Sequence, residues 1–102
     1  MRIIFDKLAK EELDESIEYY EIEVKGLGRK LREEIKRALR IIKEMPQIGS
    51  FESEDIRRYI LHKFPYKILY SIEENYIYVL AIAHMHREPR YWNRISIAPG
   101  GN

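Results

Sequence analysis

Side chains that could contact a phosphate or transfer a proton are concentrated in the second half of the chain. Residues 57–102 hold seven lysines and arginines against three glutamates, together with all three histidines. Residues 1–56 hold eleven basic residues against fourteen acidic ones. Imidazole exchanges protons near neutral pH, and clustered cations attract polyanions. We therefore predict that residues 57–102 face a polyanion, although a net charge of +1 is low for a protein that depends mainly on phosphate contacts.

Two histidines, His84 and His86, have the i, i+2 spacing that places two metal ligands on one face of a strand. No clear third or fourth ligand stands near them, so we expect a structural hydrogen bond at a strand end and no metal. The segment from Gly26 to Gly28 lacks the further glycine and the preceding strand of a dinucleotide-binding loop. We therefore expect no cofactor.

The elements that must position these side chains follow from hydrophobic periodicity. Residues 1–5 form a short apolar run that ends at a candidate helix cap, Asp6. Apolar residues then recur every three or four positions over residues 8 to about 25, and again over residues 31–45 up to Pro46. Two glycines at 26 and 28 separate these segments. The pattern predicts one strand followed by a helical hairpin.

After the second helix, residues 47–55 show no periodicity and are predicted to be a surface loop. Three runs rich in β-branched and aromatic residues follow, at 56–62, 66–72 and 76–84. Their short connections predict sequential antiparallel strands. The last run is apolar at nearly every position, which is typical of a central strand covered on both faces. The predicted fold is α+β, in the order β-α-α-β-β-β, with the helical hairpin packed on an antiparallel sheet.

Length and composition limit the class of protein. A chain of 102 residues suits a single domain, here residues 1–102. No stretch approaches the roughly 20 apolar residues of a membrane helix, and the absence of cysteine fits a reducing compartment. We expect a cytoplasmic protein without membrane association.

Two stretches of the second half resemble the C-terminal half of RelE/ParE toxins. They are Arg57-Arg58-Tyr59 with Phe64-Pro65-Tyr66-Lys67-Ile68-Leu69-Tyr70, and Val79-Leu80-Ala81-Ile82-Ala83-His84 with Arg87, Pro89, Tyr91, Trp92 and Arg94. The resemblance implies the toxin of a type II toxin–antitoxin (plasmid stabilisation) system, which arrests growth and is neutralised by a cognate antitoxin.

The same resemblance leaves two activities open, besides the possibility that toxicity has been lost and the domain only binds its antitoxin. RelE-type members are ribosome-dependent mRNA endoribonucleases, or mRNA interferases, whereas ParE-type members poison DNA gyrase without being nucleases. For a ribonuclease, the resemblance implies a catalytic set that combines proton transfer with charge stabilisation: His86, Arg58, Lys67 and Arg87. Lys67 stands where nucleases place an arginine, and a lysine lacks the bidentate fork. We therefore favour the gyrase-type toxin, with the interferase as the alternative.

The resemblance also implies a surface for the antitoxin or the target, along the helical hairpin and the sheet edge. Its expected residues are four arginines and a tryptophan: Arg57, Arg58, Arg87, Arg90 and Trp92. Adjacent residues of a strand point to opposite faces, so only one of Arg57 and Arg58 can join a site shared with Lys67. Alternatively, these charges are solvated surface residues, and Trp92 belongs to the core.

Overall fold

The computed structural model describes residues 1–85, and the predictions made for His86, Arg87, Arg90 and Trp92 lie outside this range. The elements are β1 (Arg2–Phe5), α1 (Lys7–Glu23), α2 (Leu27–Glu44), a 3-10 turn (Pro46–Ile48), β2 (Ser50–Ser53), β3 (Ile56–Ile60), β4 (Tyr66–Ile72) and β5 (Tyr76–His84). They form a five-stranded sheet in the order β1-β5-β4-β3-β2, with the helical hairpin against one face.

The predicted α+β class and the helical hairpin are confirmed, with two differences. Residues 47–55 were predicted to be a loop, but they contain the 3-10 turn and the edge strand β2. A strand of four residues that pairs on one side only leaves no periodic pattern in the sequence. In addition, β1 runs parallel to β5 while the other pairs are antiparallel, so the sheet is mixed.

The hairpin turn depends on two glycines, one for its backbone conformation and one for a close approach between the helices. Gly26 has a φ of 89°, in the left-handed region that glycine adopts without strain. A Cβ on Gly28 would lie 2.4 Å from the carbonyl oxygen of Ile17, so only glycine lets the helices approach this closely. The backbone N–H groups of Gly26 and Gly28 donate to the Glu21 carboxylate at 2.8 and 3.1 Å. These bonds lower the pKa of Glu21, that from Gly26 most strongly.

Apolar side chains are buried on both faces of the sheet. The larger cluster joins α2 to the sheet through Leu31, Ile35, Ala38, Ile42, Ile68, Tyr70, Ile77, Val79 and Ile82. The smaller cluster includes Ile56, Leu69, Leu80, Ala81 and Ala83. Strand β5 lies between β1 and β4 and contributes to both clusters. The prediction of an interior strand covered on both faces is therefore confirmed. No helix among residues 1–85 has the length and apolar character needed to cross a membrane.

One buried tyrosine is expected to make the fold sensitive to alkaline pH. The Tyr78 hydroxyl donates to Asp6 Oδ1 at 2.5 Å, while Asp6 Oδ2 caps α1 by accepting from the Leu8 N–H at 2.9 Å. Burial, together with this bond, raises the pKa of Tyr78 far above its ordinary value of 10.0. A phenol whose pKa is raised by folding stabilises the fold below pH 10, and this stabilisation is lost as the pH rises towards the folded-state pKa. The free energy of unfolding in urea should therefore fall above about pH 10, and less steeply for Tyr78→Phe. Equal pH dependence of the two proteins would contradict this role.

Candidate functional site

Arg58 and Lys67 lie together on the face of the sheet opposite the helices. Arg58 pairs with Leu69, and Ile60 pairs with Lys67, so the two cations share a face across neighbouring strands. The carboxylate of Glu52, from β2, lies between them. Its Oε2 accepts from Lys67 Nζ at 2.9 Å, and its Oε1 lies 3.6 Å from Arg58 Nη1. The three residues form a cluster with a formal charge of +1, which we call the Glu52 cluster.

The Glu52 cluster is partly shielded from solvent. The side chains of Glu52 and Lys67 are 13% and 18% exposed, and that of Arg58 is 36% exposed. Glu52 Oε1 is buried and accepts no hydrogen bond from residues 1–85. A carboxylate can act as a general base, and cations can stabilise a pentavalent phosphate. In the present geometry, however, each cation is engaged by the carboxylate.

Arg57 lies on the other face of β3 and holds the segment that leads into β2. Its Nη1 donates to the carbonyl oxygens of Gln47 and Gly49 at 3.1 and 2.8 Å. Its guanidinium carbon lies 4.1 Å from the centre of the Phe51 ring, within the range of a cation–π contact. Arg58 Nη1 also donates to the Phe51 carbonyl at 2.8 Å. Both arginines therefore fix the edge strand that carries Glu52. Since Arg58 shares a face with Lys67 and Arg57 lies on the other face, the prediction that only one of them can do so is confirmed.

Tyr70 anchors the same segment from inside the core. Its side chain is fully buried, and its hydroxyl donates to the Pro46 carbonyl at 2.7 Å and accepts from the Gly49 N–H at 3.0 Å. Burial raises the pKa of this phenol. A Cβ on Gly49 would lie 2.6 Å from both the Arg58 carbonyl oxygen and the Tyr70 hydroxyl. The position of β2 is thus set by packing at Gly49 and by hydrogen bonds from two strands.

His84 occupies a different place from the Glu52 cluster. It lies at the end of β5, pairs with Tyr66, and contacts that ring edge-to-face at a centroid distance of 5.1 Å. It lines a small pocket beside α1 with Glu12 and Glu15. Residues 1–85 contain no group of three or more potential metal ligands. Its predicted partner His86 lies outside the described residues.

A groove lies between the two helices, beside Phe5 of β1. Its volume is about 740 Å³, and its apolar lining consists of Phe5, Leu13, Ile17, Ile22, Ile35 and Leu39. Lys10, Asp14, Glu18 and Glu21 flank it on α1, and Arg32 and Lys36 flank it on α2. The groove therefore has an apolar lining, one rim that is mainly acidic and one that is basic.

A family model described as the ParE toxin of type II toxin-antitoxin systems, parDE, matches residues 3–89. The chain belongs to the ParE toxin family. It is thus a toxin component of a type II toxin–antitoxin system, and the kind of partner that this family implies is an antitoxin. No curated protein sequence matches it significantly.

Solved structures of both branches share the fold of this ParE-family toxin. A chain of the chromosomal ParDE toxin–antitoxin system from P. aeruginosa has a TM-score of 0.62 and 17% identity, over 84% of this chain and 97% of that chain. The isolated RelE toxin of E. coli has a TM-score of 0.64 and 20% identity, over 92% of this chain and 94% of that chain. The resemblance to RelE/ParE toxins is confirmed, and at these identities the likeness concerns the fold alone.

The structure brings together two of the four residues that were predicted to be catalytic in this ParE-family toxin. Arg58 and Lys67 meet at Glu52, while His86 and Arg87 lie outside the described residues. Glu52 itself was missed because residues 47–55 were predicted to be a loop. The local sequence gives little signal for it, because Phe51 is the single apolar residue of the four-residue strand.

Proposed function

We propose that this ParE-family toxin arrests growth by binding and disabling DNA gyrase, without cleaving RNA. The observation that carries the proposal is the pairing of Arg58 and Lys67 with Glu52. A scissile phosphate would have to replace a carboxylate whose side chain is only 13% exposed. Displacing one member of a shielded ion pair leaves an uncompensated charge, which is costly. The cluster is therefore better suited to fixing β2 than to holding a substrate.

We further propose that the antitoxin binds in the groove between α1 and α2. An apolar groove with charged rims suits an amphipathic helix, whose apolar side chains enter the groove while its charges meet the rims. Ile22, at 75% exposure, is the most exposed large apolar residue of residues 1–85 and lines this groove. The predicted antitoxin contacts of Arg57 and Arg58 lie towards the opposite edge of the sheet, on β3, and would form a separate part of the interface.

A second candidate, the ribosome-dependent mRNA interferase, is favoured by one feature of the Glu52 cluster. The cluster combines a carboxylate that could serve as a base with two cations that could stabilise the transition state. In that mechanism Glu52 would remove the proton of the attacking 2′-hydroxyl, and His86 would supply a second proton-transfer group. This activity needs the cations to turn from Glu52 towards the phosphate.

Glu52→Gln separates the two candidates because it keeps the shape of the side chain and removes its basicity. Under the gyrase proposal, induced expression of the wild type and of Glu52→Gln should both arrest growth with intact transcripts in primer extension. Under the interferase alternative, the wild type cleaves transcripts, and both Glu52→Gln and His86→Ala lose cleavage and growth arrest. The purified wild-type toxin should also inhibit supercoiling by gyrase. Full supercoiling in excess toxin would contradict the gyrase proposal.

A further inference from the structure

The solvent-facing side of α2 is composed entirely of charged residues. Nine residues of this helix are exposed, and seven of them are lysine or arginine. By contrast, α1 carries two basic and seven acidic residues, and it exposes Leu8, Tyr19 and Ile22. The small net charge of the whole chain thus conceals one acidic helix beside one basic helix.

Five of these cations form a single stripe, which we call the basic ridge: Arg29, Arg32, Lys36, Arg40 and Lys43. Their spacings of three and four residues place them in line on one side of the helix. The first and the last are fourteen positions apart in the sequence, which is about 21 Å at the α-helical rise. Among residues 1–85, no carboxylate lies within 4 Å of a nitrogen of these five side chains.

The stability of the helix does not account for the basic ridge. Arg32, Lys36 and Arg40 are spaced four apart, and like charges at this spacing destabilise a helix. Arg29 lies near the N-terminus of α2, where the helix dipole disfavours a positive charge. Only Lys43, in the last turn, is favoured by the dipole. Glu21 attracts Arg29, and Glu33 and Glu44 stand four residues after Arg29 and Arg40, but none of these glutamates forms an ion pair with the ridge among residues 1–85. The like-charge repulsion that is left points to an external counter-charge.

We propose that the basic ridge binds the phosphate backbone of a nucleic-acid duplex. Arg32 and Lys36 also flank the groove proposed for the antitoxin, but Arg29, Arg40 and Lys43 do not line it. Protein interfaces have an apolar centre, and the exposed residues of α2 include no apolar side chain that could form one. Nucleic-acid interfaces, in contrast, are polar and strongly basic. At about 3.4 Å of axial rise per nucleotide of one strand, a row of about 21 Å is long enough to lie beside several phosphates of a duplex. This inference does not depend on whether gyrase is the target.

The test is the salt dependence of binding between the purified full chain and a fluorescent DNA duplex of arbitrary sequence. Five phosphate contacts predict a slope of log K against log salt of about −4.5. Arg40→Gln should reduce the magnitude of this slope by about 0.9, which corresponds to roughly eightfold weaker binding at 0.1 M salt. The same substitution should not lower the midpoint temperature of thermal unfolding, because it removes a like-charge neighbour of Lys36. Lys7→Gln, the same charge change at an exposed residue of α1, is the matched control and should bind like the wild type.

Three outcomes would overturn the proposal. The first is equal affinity of Arg40→Gln and Lys7→Gln for the duplex, which would show that binding depends only on the net charge of the protein. The second is no binding of the duplex by the wild type at low salt. The third is a polyglutamate chain that binds as tightly as the duplex and depends equally on Arg40, since this would identify an acidic protein segment as the occupant.

Discussion

Replacing Glu34 with alanine is expected to lower the free energy of unfolding by about 2–3 kcal/mol, a large share of the stability of a small domain. Glu34 lies on α2 and is only 6% exposed. Its Oε2 accepts from the backbone N–H groups of His62 and Lys63 at 2.5 and 3.2 Å. These bonds attach the helix to the turn between β3 and β4. Alanine leaves both donors without an acceptor.

Part of this loss is offset, because Glu34 Oε1 is buried and accepts no hydrogen bond from residues 1–85. Glu34→Gln keeps an acceptor oxygen and should therefore lose less, about 1 kcal/mol. Glu33→Ala, at the exposed neighbouring position, should be within about 0.5 kcal/mol of the wild type. Urea unfolding of the three variants measures these differences. If Glu34→Ala and Glu33→Ala unfolded alike, the carboxylate would not be what holds the turn.

The second large effect concerns the antitoxin. Ile22→Glu should weaken antitoxin binding roughly 30-fold or more, which is the loss expected when a hot-spot side chain is removed from an interface. The substitution also adds a negative charge to a groove whose α1 rim is already mainly acidic. The folded toxin should be unaffected, because Ile22 is 75% exposed. Co-expression of the protein from the neighbouring reading frame should then no longer restore growth.

Leu8→Glu provides the matched control on the same helix. Leu8 is also an exposed apolar residue, at 49%, but it does not line the groove. Its substitution should leave the dissociation constant unchanged in a titration with purified antitoxin. Equal losses of affinity for the two variants would place the antitoxin elsewhere. No loss of affinity for either variant would exclude this part of the groove from the antitoxin interface.

The strands that could be predicted are those with strong local patterns. Residues 66–72 and 76–84 were predicted with the bounds that the structure has, because each is rich in β-branched and aromatic side chains and is separated from its neighbours by short polar or proline-containing turns. Asp6 was predicted as a cap because it is the polar residue that separates an apolar run from a helical pattern, and it does cap α1. Strand β2 was missed because its stability comes from Arg57, Arg58 and Tyr70, which are distant in sequence.

The charge distribution illustrates a second limit of sequence reasoning. Comparing the two halves of the chain predicted that basic character begins at Arg57, because the acidic residues of α1 cancel the basic residues of α2 within the first half. The two helices became distinct only once their bounds and exposed faces were known. Likewise, the contact of Glu52 with Lys67 joins residues 15 apart across three strands, and no local pattern reports such a contact.

The arginines that hold β2 also bear on self-association. The Leu61 N–H donates to the Tyr66 carbonyl, so the backbone N–H and C=O groups of Leu61 face β4. These groups alternate in direction along a strand, so those of Arg58 face β2, where Arg58 pairs with Ser50. The next carbonyl of β2, that of Phe51, therefore points away from the sheet. That carbonyl is occupied by the Arg58 guanidinium, and the Gly49 carbonyl by Arg57. An edge only four residues long, with these acceptors already taken, is a poor template for a strand from another molecule. The edge at β2 is thus protected against aggregation by the same two cations that fix its position.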